Sequence, residues 1–423
     1  MEIFRKIWKV KDLRKSVLFV VLMLVVFRMA AHIPVPGINT ENLGQFLQNN
    51  QILGLLNVFS GGTIENFSVV MLGVAPYITA SIIFQLLTMV LPKFEEMSKE
   101  GEAGQAKINN YTRITAVPLA LLQAFGLIKL LSSSQAGVFD ALTTFKFVSI
   151  MITATAGTIF LMWIGELITE KRIGNGISIL IFSGIVAALP GVVQNIIVNY
   201  NQADFYNYFF FAVIAVITIV GVVFISEGQR MIPVNYARAV RGGRAAGSSV
   251  SNLPLRVNMA GVIPIIFAIS LVLMPSMIAQ FFINNTGAIG DISKKIIELF
   301  NNQLFYGIIY FVFVFGFTYF YTAVIFQPQK IAENLQRQGA FIPGIRPGKQ
   351  TEEYLSRIMS RLVFSGAIFL AVIAVLPLIL KAFTGTQSLA LGGTGLLIVV
   401  SVAIDIARQI EAQMTMHEYD RVS

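Results

Sequence analysis

Residues 73–91 read GVAPYITASIIFQLLTMVL. The run is long and apolar enough to cross a bilayer, which takes about 20 mostly apolar residues in a helix. Its first turns nevertheless carry Pro76, Tyr77, Thr79 and Ser81. Just upstream, Phe59-Ser60-Gly61-Gly62-Thr63 is a Gly-rich break, followed by a weakly apolar segment too short to span. Backbone broken at membrane depth survives only when it is buried in protein or lines a water-filled cavity. Together these features point to a pore or a transport pathway, not to an inert anchor.

Composition agrees. Of 423 residues, 55% are hydrophobic and 13% charged, against about 25% charged in soluble domains. Mean hydropathy is +0.73. This is the composition of an integral membrane protein. The chain has no cysteine, which excludes disulfide frameworks, thiolate nucleophiles and Cys-ligated metals. The two histidines, His32 and His417, lie far apart, so neither a His-based metal site nor a catalytic triad is expected, and no cofactor is implied. The basic start (Arg5, Lys6, Lys9, Lys11, Arg14, Lys15) precedes an apolar run too long for the core of a signal peptide. The first span is therefore expected to be retained.

Ten stretches satisfy the length rule, at about 16–36, 71–91, 113–131, 147–168, 177–197, 208–227, 258–281, 304–326, 362–381 and 389–408. A half-length element, 55–69, precedes the second. The basic residues test this map. With the N-terminus inside, 25 of the 31 Lys and Arg fall on inner segments and 5 on outer loops, with Arg28 inside the first span. That asymmetry is a strong positive-inside signal, and it puts both termini on the cytoplasmic side. The spans divide as five plus five, into an N-terminal half, 1–200, and a C-terminal half, 201–423. Because five is odd, the halves would be inverted relative to each other, a common plan in transporters and channels.

Two inner loops, 228–257 and 327–361, are far longer than a chain reversal needs. The first holds Arg241 and Arg244. The second contains Phe341-Ile342-Pro343-Gly344-Ile345-Arg346-Pro347-Gly348-Lys349. Pro343, Gly344, Pro347 and Gly348 bracket Ile345-Arg346, which stiffens the turn and projects Arg346. The loops read either as topology determinants, which explains their charge but not their length, or as a docking platform for a cytoplasmic partner.

Several stretches resemble the SecY family, the channel subunits of the bacterial protein translocase. GVAPYITASIIFQLL from Gly73 matches one family signature, and IGELITEKRIGNGISILIFSGI from Ile164 matches a second. NMAGVIP from Asn258, FIPGIRPG from Phe341 and Gly392-Gly393-Thr394 add three more, in family order across the whole chain. The resemblance implies an all-α integral membrane protein of ten transmembrane helices. They form two inverted five-helix halves, a clamshell around an hourglass pore with a short plug helix.

Carried over residue by residue, the pore ring would be Ile78, Ile82, Ile181, Ile185, Ile266 and Ile398. Each of the two pairs sits at i, i+4 on one helix face, although isoleucine is common in any membrane helix. The plug would be Ser60, Gly61, Gly62, Thr63, Ile64, Glu65, Asn66, Phe67 and Ser68, with the glycines as hinge and Glu65 and Asn66 keeping it out of lipid; an ordinary outer loop is the alternative. The lateral gate would join the second and third spans to the seventh and eighth. Thr79, Gln85 and Asn258 are its polar candidates, though small polar residues also serve as interhelical glue. Cytoplasmic docking would fall to Arg241, Arg244, Arg346 and Lys349. The implied partners are SecE, SecG, the SecA motor ATPase, the ribosome, the translocating polypeptide with its signal sequence, and membrane lipid. The implied location is the bacterial plasma membrane.

An apolar ring suits the implied task, because a narrow branched-aliphatic constriction dewets and blocks ions while offering a passing peptide no partner. The chain lacks G-x-x-x-x-G-K-[ST], so the energy must come from outside. The rival class is a secondary transporter of small solutes. Such proteins usually hold charges near the midplane, and this chain has almost none there. For an intramembrane protease, neither G-x-S-x-G nor a paired intramembrane Asp is present. Arg28, before His32 and Pro34, is expected to snorkel or to pair within the bundle, and Glu166, Glu170 and Asp405 to be interfacial.

Overall fold

The computed structural model describes residues 10–36, 38–49, 57, 60–133, 138–139, 143–198, 205–236, 250–283, 287–384 and 387–422. Among the described residues, ten helices of 16 or more residues follow one another in the order of the ten expected spans. They are α1 (Lys11–Ala31), α3 (Ala75–Val90), α5 (Glu102–Ser133), α6 (Thr144–Glu170), α7 (Gly176–Val198), α8 (Phe205–Glu227), α9 (Ile263–Phe282), α11 (Gln303–Ile325), α13 (Lys349–Thr384) and α14 (Gln387–Val422). Shorter helices α2 (Thr40–Asn49), α4 (Pro92–Lys99), α10 (Ala288–Asn301) and α12 (Pro328–Arg337) lie between them. Four stretches, Glu102–Ser132, Thr144–Glu170, Gln303–Arg337 and Lys349–Ile379, are long and apolar enough to cross a membrane by themselves. The pair α3 and α4, bent by 99° at Leu91-Pro92, makes a fifth.

Apolar composition makes these helices buryable, but their hydroxyls still need partners away from water. The sequence solves this locally. Thr79, Thr112, Thr155, Thr158, Thr169, Thr318 and Thr322 each donate to the carbonyl four residues back, at 2.7–3.2 Å. Side-chain caps do the same at two exposed starts. Thr143 accepts from the Lys146 amide before α6, and Asn302 accepts from the Leu304 and Phe305 amides before α11.

Helices dominate, as expected, but the two large loops add a small sheet that hydropathy did not reveal. Strand β1 (Gln229–Tyr236) pairs antiparallel with β2 (Val250–Arg256), with Gln229 opposite Arg256. The short β3 (Ala340–Phe341) adds to the other edge of β1, opposite Tyr236 and Asn235. Behind the sheet, Ile232, Val234 and Leu255 pack with Leu335 of α12, Ile342, and Leu355 and Met359 of α13. The two loops therefore form one body with its own core.

The largest core draws on α1, α3, α6, α7, α8, α9, α11, α13 and α14. Helices α3 and α5 pack on α9 along one seam, and α7 packs on α14 along another. A second core, including Leu43, Phe67, Met71 and Ile128, sits under the chain that follows α1. The expected short helix within 60–68 is mostly a string of turns. Ser60 is helical, and residues 61–74 run through successive turns into α3. Gly61 (φ 80°), Gly62 (φ 78°), Phe67 (φ 42°) and Gly73 (φ 57°) all take left-handed backbone there, which a regular helix cannot absorb.

Close backbone approach tests this packing. A Cβ on Gly157 of α6 would meet the Val69 carbonyl oxygen of the turn segment at 2.0 Å, whereas one on Gly316 of α11 would meet nothing within 4 Å. Gly157→Ala should destabilise the purified protein by about 1–3 kcal/mol. Gly316→Ala should be neutral or slightly stabilising, by up to about 1 kcal/mol. Thermal unfolding of the two variants in detergent checks this, and equal midpoints would refute the packing of segment 69–70 on α6.

Candidate functional site

The site grows from α3, whose i, i+4 spacing puts Ile78 and Ile82 on one face. Helix α7 does the same with Ile181 and Ile185. Ile266 comes from the start of α9, and Ile398 from the first third of α14. All six are buried, none more than 8% exposed, and all belong to the same central cluster. Four helices remote in sequence thus converge on one apolar knot that offers no hydrogen bond. The flanking Ile83 and Phe182 are only half-buried.

At the end of the bundle that carries the large basic loops, the knot borders a cavity of about 410 Å³. Ile78 and Ile266 form part of its wall. The rest is mixed: Ile177, Ile263 and Phe267 are apolar, while Tyr77, Ser81, Gln85, Asn109, Glu166 and Asn175 bring polar groups. An ion pair between Arg113 of α5 and Glu166 of α6 crosses this wall. A smaller cavity of about 210 Å³ lies beside it, lined by Arg256, Asn258, Tyr321, Asp405 and Arg408 among others. Sequence reasoning treated Glu166, Glu170 and Asp405 as interfacial and did not see the cavities they line. One signal was present: Tyr77, Ser81 and Gln85 recur every four residues, a polar stripe beside the isoleucine pair.

The turn segment packs on α7 at Gly184, next to Ile185. Thr63 donates its hydroxyl to the carbonyls of Ser60 and Met71, at 3.1 and 3.3 Å. Asn57, which sequence reasoning missed, organises the start. Its carbonyl accepts from the Gly62 amide at 2.8 Å and from the Ser60 hydroxyl at 3.0 Å. Its side-chain oxygen accepts from the Glu65 amide at 3.1 Å. Further on, the Val35 amide donates to the Phe67 carbonyl and the Val69 amide to the Ile33 carbonyl, both at 3.0 Å. Ile64, Thr63, Phe67 and Ser68 are buried, while Glu65 and Asn66 are exposed.

The three polar gate candidates are not bonded to one another. Thr79 accepts from the Gln123 side chain of α5 at 3.4 Å, tying α3 to its neighbour. Gln85 donates to Ser81 at 3.4 Å, and its buried carbonyl oxygen has no partner. Asn258 closes the turn that launches α9, accepting from the Gly261 amide at 3.0 Å and donating to the Gly261 carbonyl at 3.3 Å. Of the docking candidates, Arg241 and Arg244 lie outside the described residues. Arg346 and Lys349 are exposed. The Ile345 amide donates to the Ile342 carbonyl at 3.0 Å, closing a turn with Pro343 second and Gly344 (φ 81°) third, as type II geometry demands. The Thr351 hydroxyl then holds the Arg346 carbonyl at 3.0 Å.

An apolar knot of branched side chains on four helices, beside a cavity with polar groups in its wall, suits a channel of the helical membrane class. The profile of the SecY family matches residues 68–407. The protein translocase subunit SecY of Halalkalibacterium halodurans is 44% identical, over 98% of this chain and 97% of its own length. That of Corynebacterium glutamicum is 43% identical over 98% of each chain. Among solved structures, a protein-conducting channel superposes with a TM-score of 0.68 at 19% identity, over 93% of this chain and 91% of its own. A study of the SecY plug domain supplies another match, with a TM-score of 0.63 at 18% identity over the same shares. The chain belongs to the SecY family. It is a multi-pass membrane protein and forms the pore of a protein-translocating channel.

Ile398→Asn places an amide in a cluster without polar partners, which costs about 2 kcal/mol in the closed form. Water meets the same amide once the constriction opens, so the closed-to-open ratio should fall about 30-fold. Single-channel recording should show the variant open at rest far more often than the parent. Unchanged resting conductance would refute the constriction.

Proposed function

We propose that the six isoleucines are the constriction through which an unfolded secretory polypeptide passes, and that residues 60–68 are the plug that covers it. The observation that carries this reading is their convergence, from α3, α7, α9 and α14, into one apolar knot beside a cavity with polar groups in its wall. A knot without hydrogen-bonding groups seals against ions yet grips no particular sequence. All ten long helices cross the membrane, five from residues 1–200 and five from 201–423. The seam of α3 and α5 with α9, continued by α11, parts to release an apolar segment into lipid. Thr79, Gln85 and Asn258 set the polarity of that seam. The Arg and Lys asymmetry supports cytoplasmic termini in the bacterial plasma membrane.

The chain performs no catalysis itself; a partner drives transport. The exposed Arg346 and Lys349, together with Arg241 and Arg244, form the docking face for a SecA-type motor or a ribosome, and SecE- and SecG-type subunits complete the complex. The joint body built by the two loops supports this, because it presents Arg346 on a rigid turn backed by its own core.

The absence of native cysteines makes the constriction directly testable, since any introduced thiol is unique. Cysteine at Ile82, Ile185, Ile266 or Ile398 should crosslink to a cysteine in a stalled translocating substrate. Cysteine at Ile83 or Phe182, turned about 100° away on the same helices, should react several-fold less. Equal reaction at all positions would sink the assignment. Separately, Arg346→Glu should reduce motor-driven export into vesicles at least tenfold while the folded protein accumulates normally. Export near the parent rate would remove Arg346 from the docking face.

A further inference from the structure

Arg28 occupies the last turn of α1 and is half-buried. Among the described residues no carboxylate pairs with it. Its guanidinium instead reaches two carbonyl oxygens distant in sequence. Nη1 donates to Gly61 of the turn segment at 3.0 Å, and Nη2 to Gly184 of α7 at 3.3 Å. A helical carbonyl keeps a second lone pair free after its backbone bond, so α7 gives up nothing in accepting. Gly184 directly precedes Ile185 of the constriction.

The two glycines also touch. A Cβ on Gly61 would stand 2.7 Å from the Gly184 Cα, and one on Gly184 would stand 2.5 Å from the Gly61 Cα. Gly61 further requires its left-handed φ of 80°. Only two residues without side chains let the segment lie this close to α7, and only at this separation can one planar guanidinium span both carbonyls. The other hydrogen bonds of residues 60–74 run within the segment, to Asn57, to residues 33–35, or onward into α3 through the Ala75 and Ile78 amides. Among the described residues, Arg28 is therefore the polar link between residues 60–68 and α7.

We propose that Arg28 is the latch of the closed channel, a positioning residue that pins the turn segment to α7 and so sets how strong a signal must be to open the pore. The proposal rests on residues 60–68 being the plug. The chemistry suits a latch that must release. A cation facing two carbonyl dipoles is held more weakly than one facing a buried carboxylate, so opening separates no pair of opposite charges in low dielectric. The freed guanidinium, in the last turn of its helix, reaches the aqueous boundary by extending its stem. Lysine would not replace it, because a point charge cannot span both oxygens as the planar fork does.

The test compares Arg28→Gln, Arg28→Lys, Gly184→Ala and a deletion of residues 64–67, each in the complex as purified. Two readouts apply: resting ion conductance in planar bilayers, and export of a reporter with a weakened signal sequence. Losing hydrogen bonds to a charged group should raise the open fraction about tenfold or more in Arg28→Gln, with a smaller rise in Arg28→Lys. Gly184→Ala favours the helix and leaves Arg28 intact, yet it pushes Gly61 away, so it should leak as well. Adding Arg28→Gln to the deletion should change nothing further, because the latch then has nothing to hold. If the deletion leaks while Arg28→Gln and Gly184→Ala stay sealed, the latch is refuted and the plug stands. If the two effects add, Arg28 acts elsewhere and the latch is again refuted. If the deletion itself stays sealed, the plug reading fails and takes the latch with it.

Discussion

Within a bilayer, every backbone N–H and C=O must find its partner inside the protein, because lipid supplies none. Helices meet this demand automatically, so the place where the helix is broken dictates what must surround it. Here that place is residues 60–74. Their amides and carbonyls find partners in Asn57, in Arg28, in the strand-like pairing of residues 67–69 with 33–35, and in bonds along the turns. Each partner fixes a neighbour in turn. The pairing sets where the chain leaves α1, and the contact of Gly157 with Val69 sets the approach of α6. The central bundle is arranged around a segment that could not exist in lipid alone.

Polarity is then graded along the axis of the bundle. The basic end holds a cavity with an ion pair and several amides and hydroxyls in its wall. The middle holds the six isoleucines within one large hydrophobic cluster. Burying these isoleucines contributes to folding at roughly 1.5–3 kcal/mol per fully buried side chain.

Much of this was legible in the sequence. The order of ten long helices followed from hydropathy, since length and apolar composition are local properties. The i, i+4 isoleucine pairs on α3 and α7 were visible as a spacing, and their convergence with Ile266 and Ile398 came from resemblance, because no periodicity reveals that distant helices meet. The break at Gly61-Gly62 was read correctly as non-spanning, yet its form as turns was not, because Phe67 takes a left-handed φ that no residue-type preference announces. The sheet was missed for a similar reason. Gln229–Tyr236 and Val250–Arg256 are polar, proline-containing and far apart, and only their mutual pairing and the core behind them stabilise them as strands. Asn57 was missed because one asparagine in a loop looks like any other until its bonds are seen.

The joint sheet has a mechanical consequence. Its first two strands connect α8 to α9, and its third lies in the connection from α11 to α13. Beneath it the Val257 amide is bonded to the Gly228 carbonyl at 2.9 Å, and Gly366 of α13 lies so near that a Cβ there would be 2.8 Å from the Val257 carbonyl oxygen. Four helices of the C-terminal part are therefore bolted at one end to a common plate. A push delivered anywhere on that plate becomes a torque on all four together, with the helices as lever arms. The part would tilt as a unit, turning a small stroke at the surface into a larger displacement deep in the bilayer.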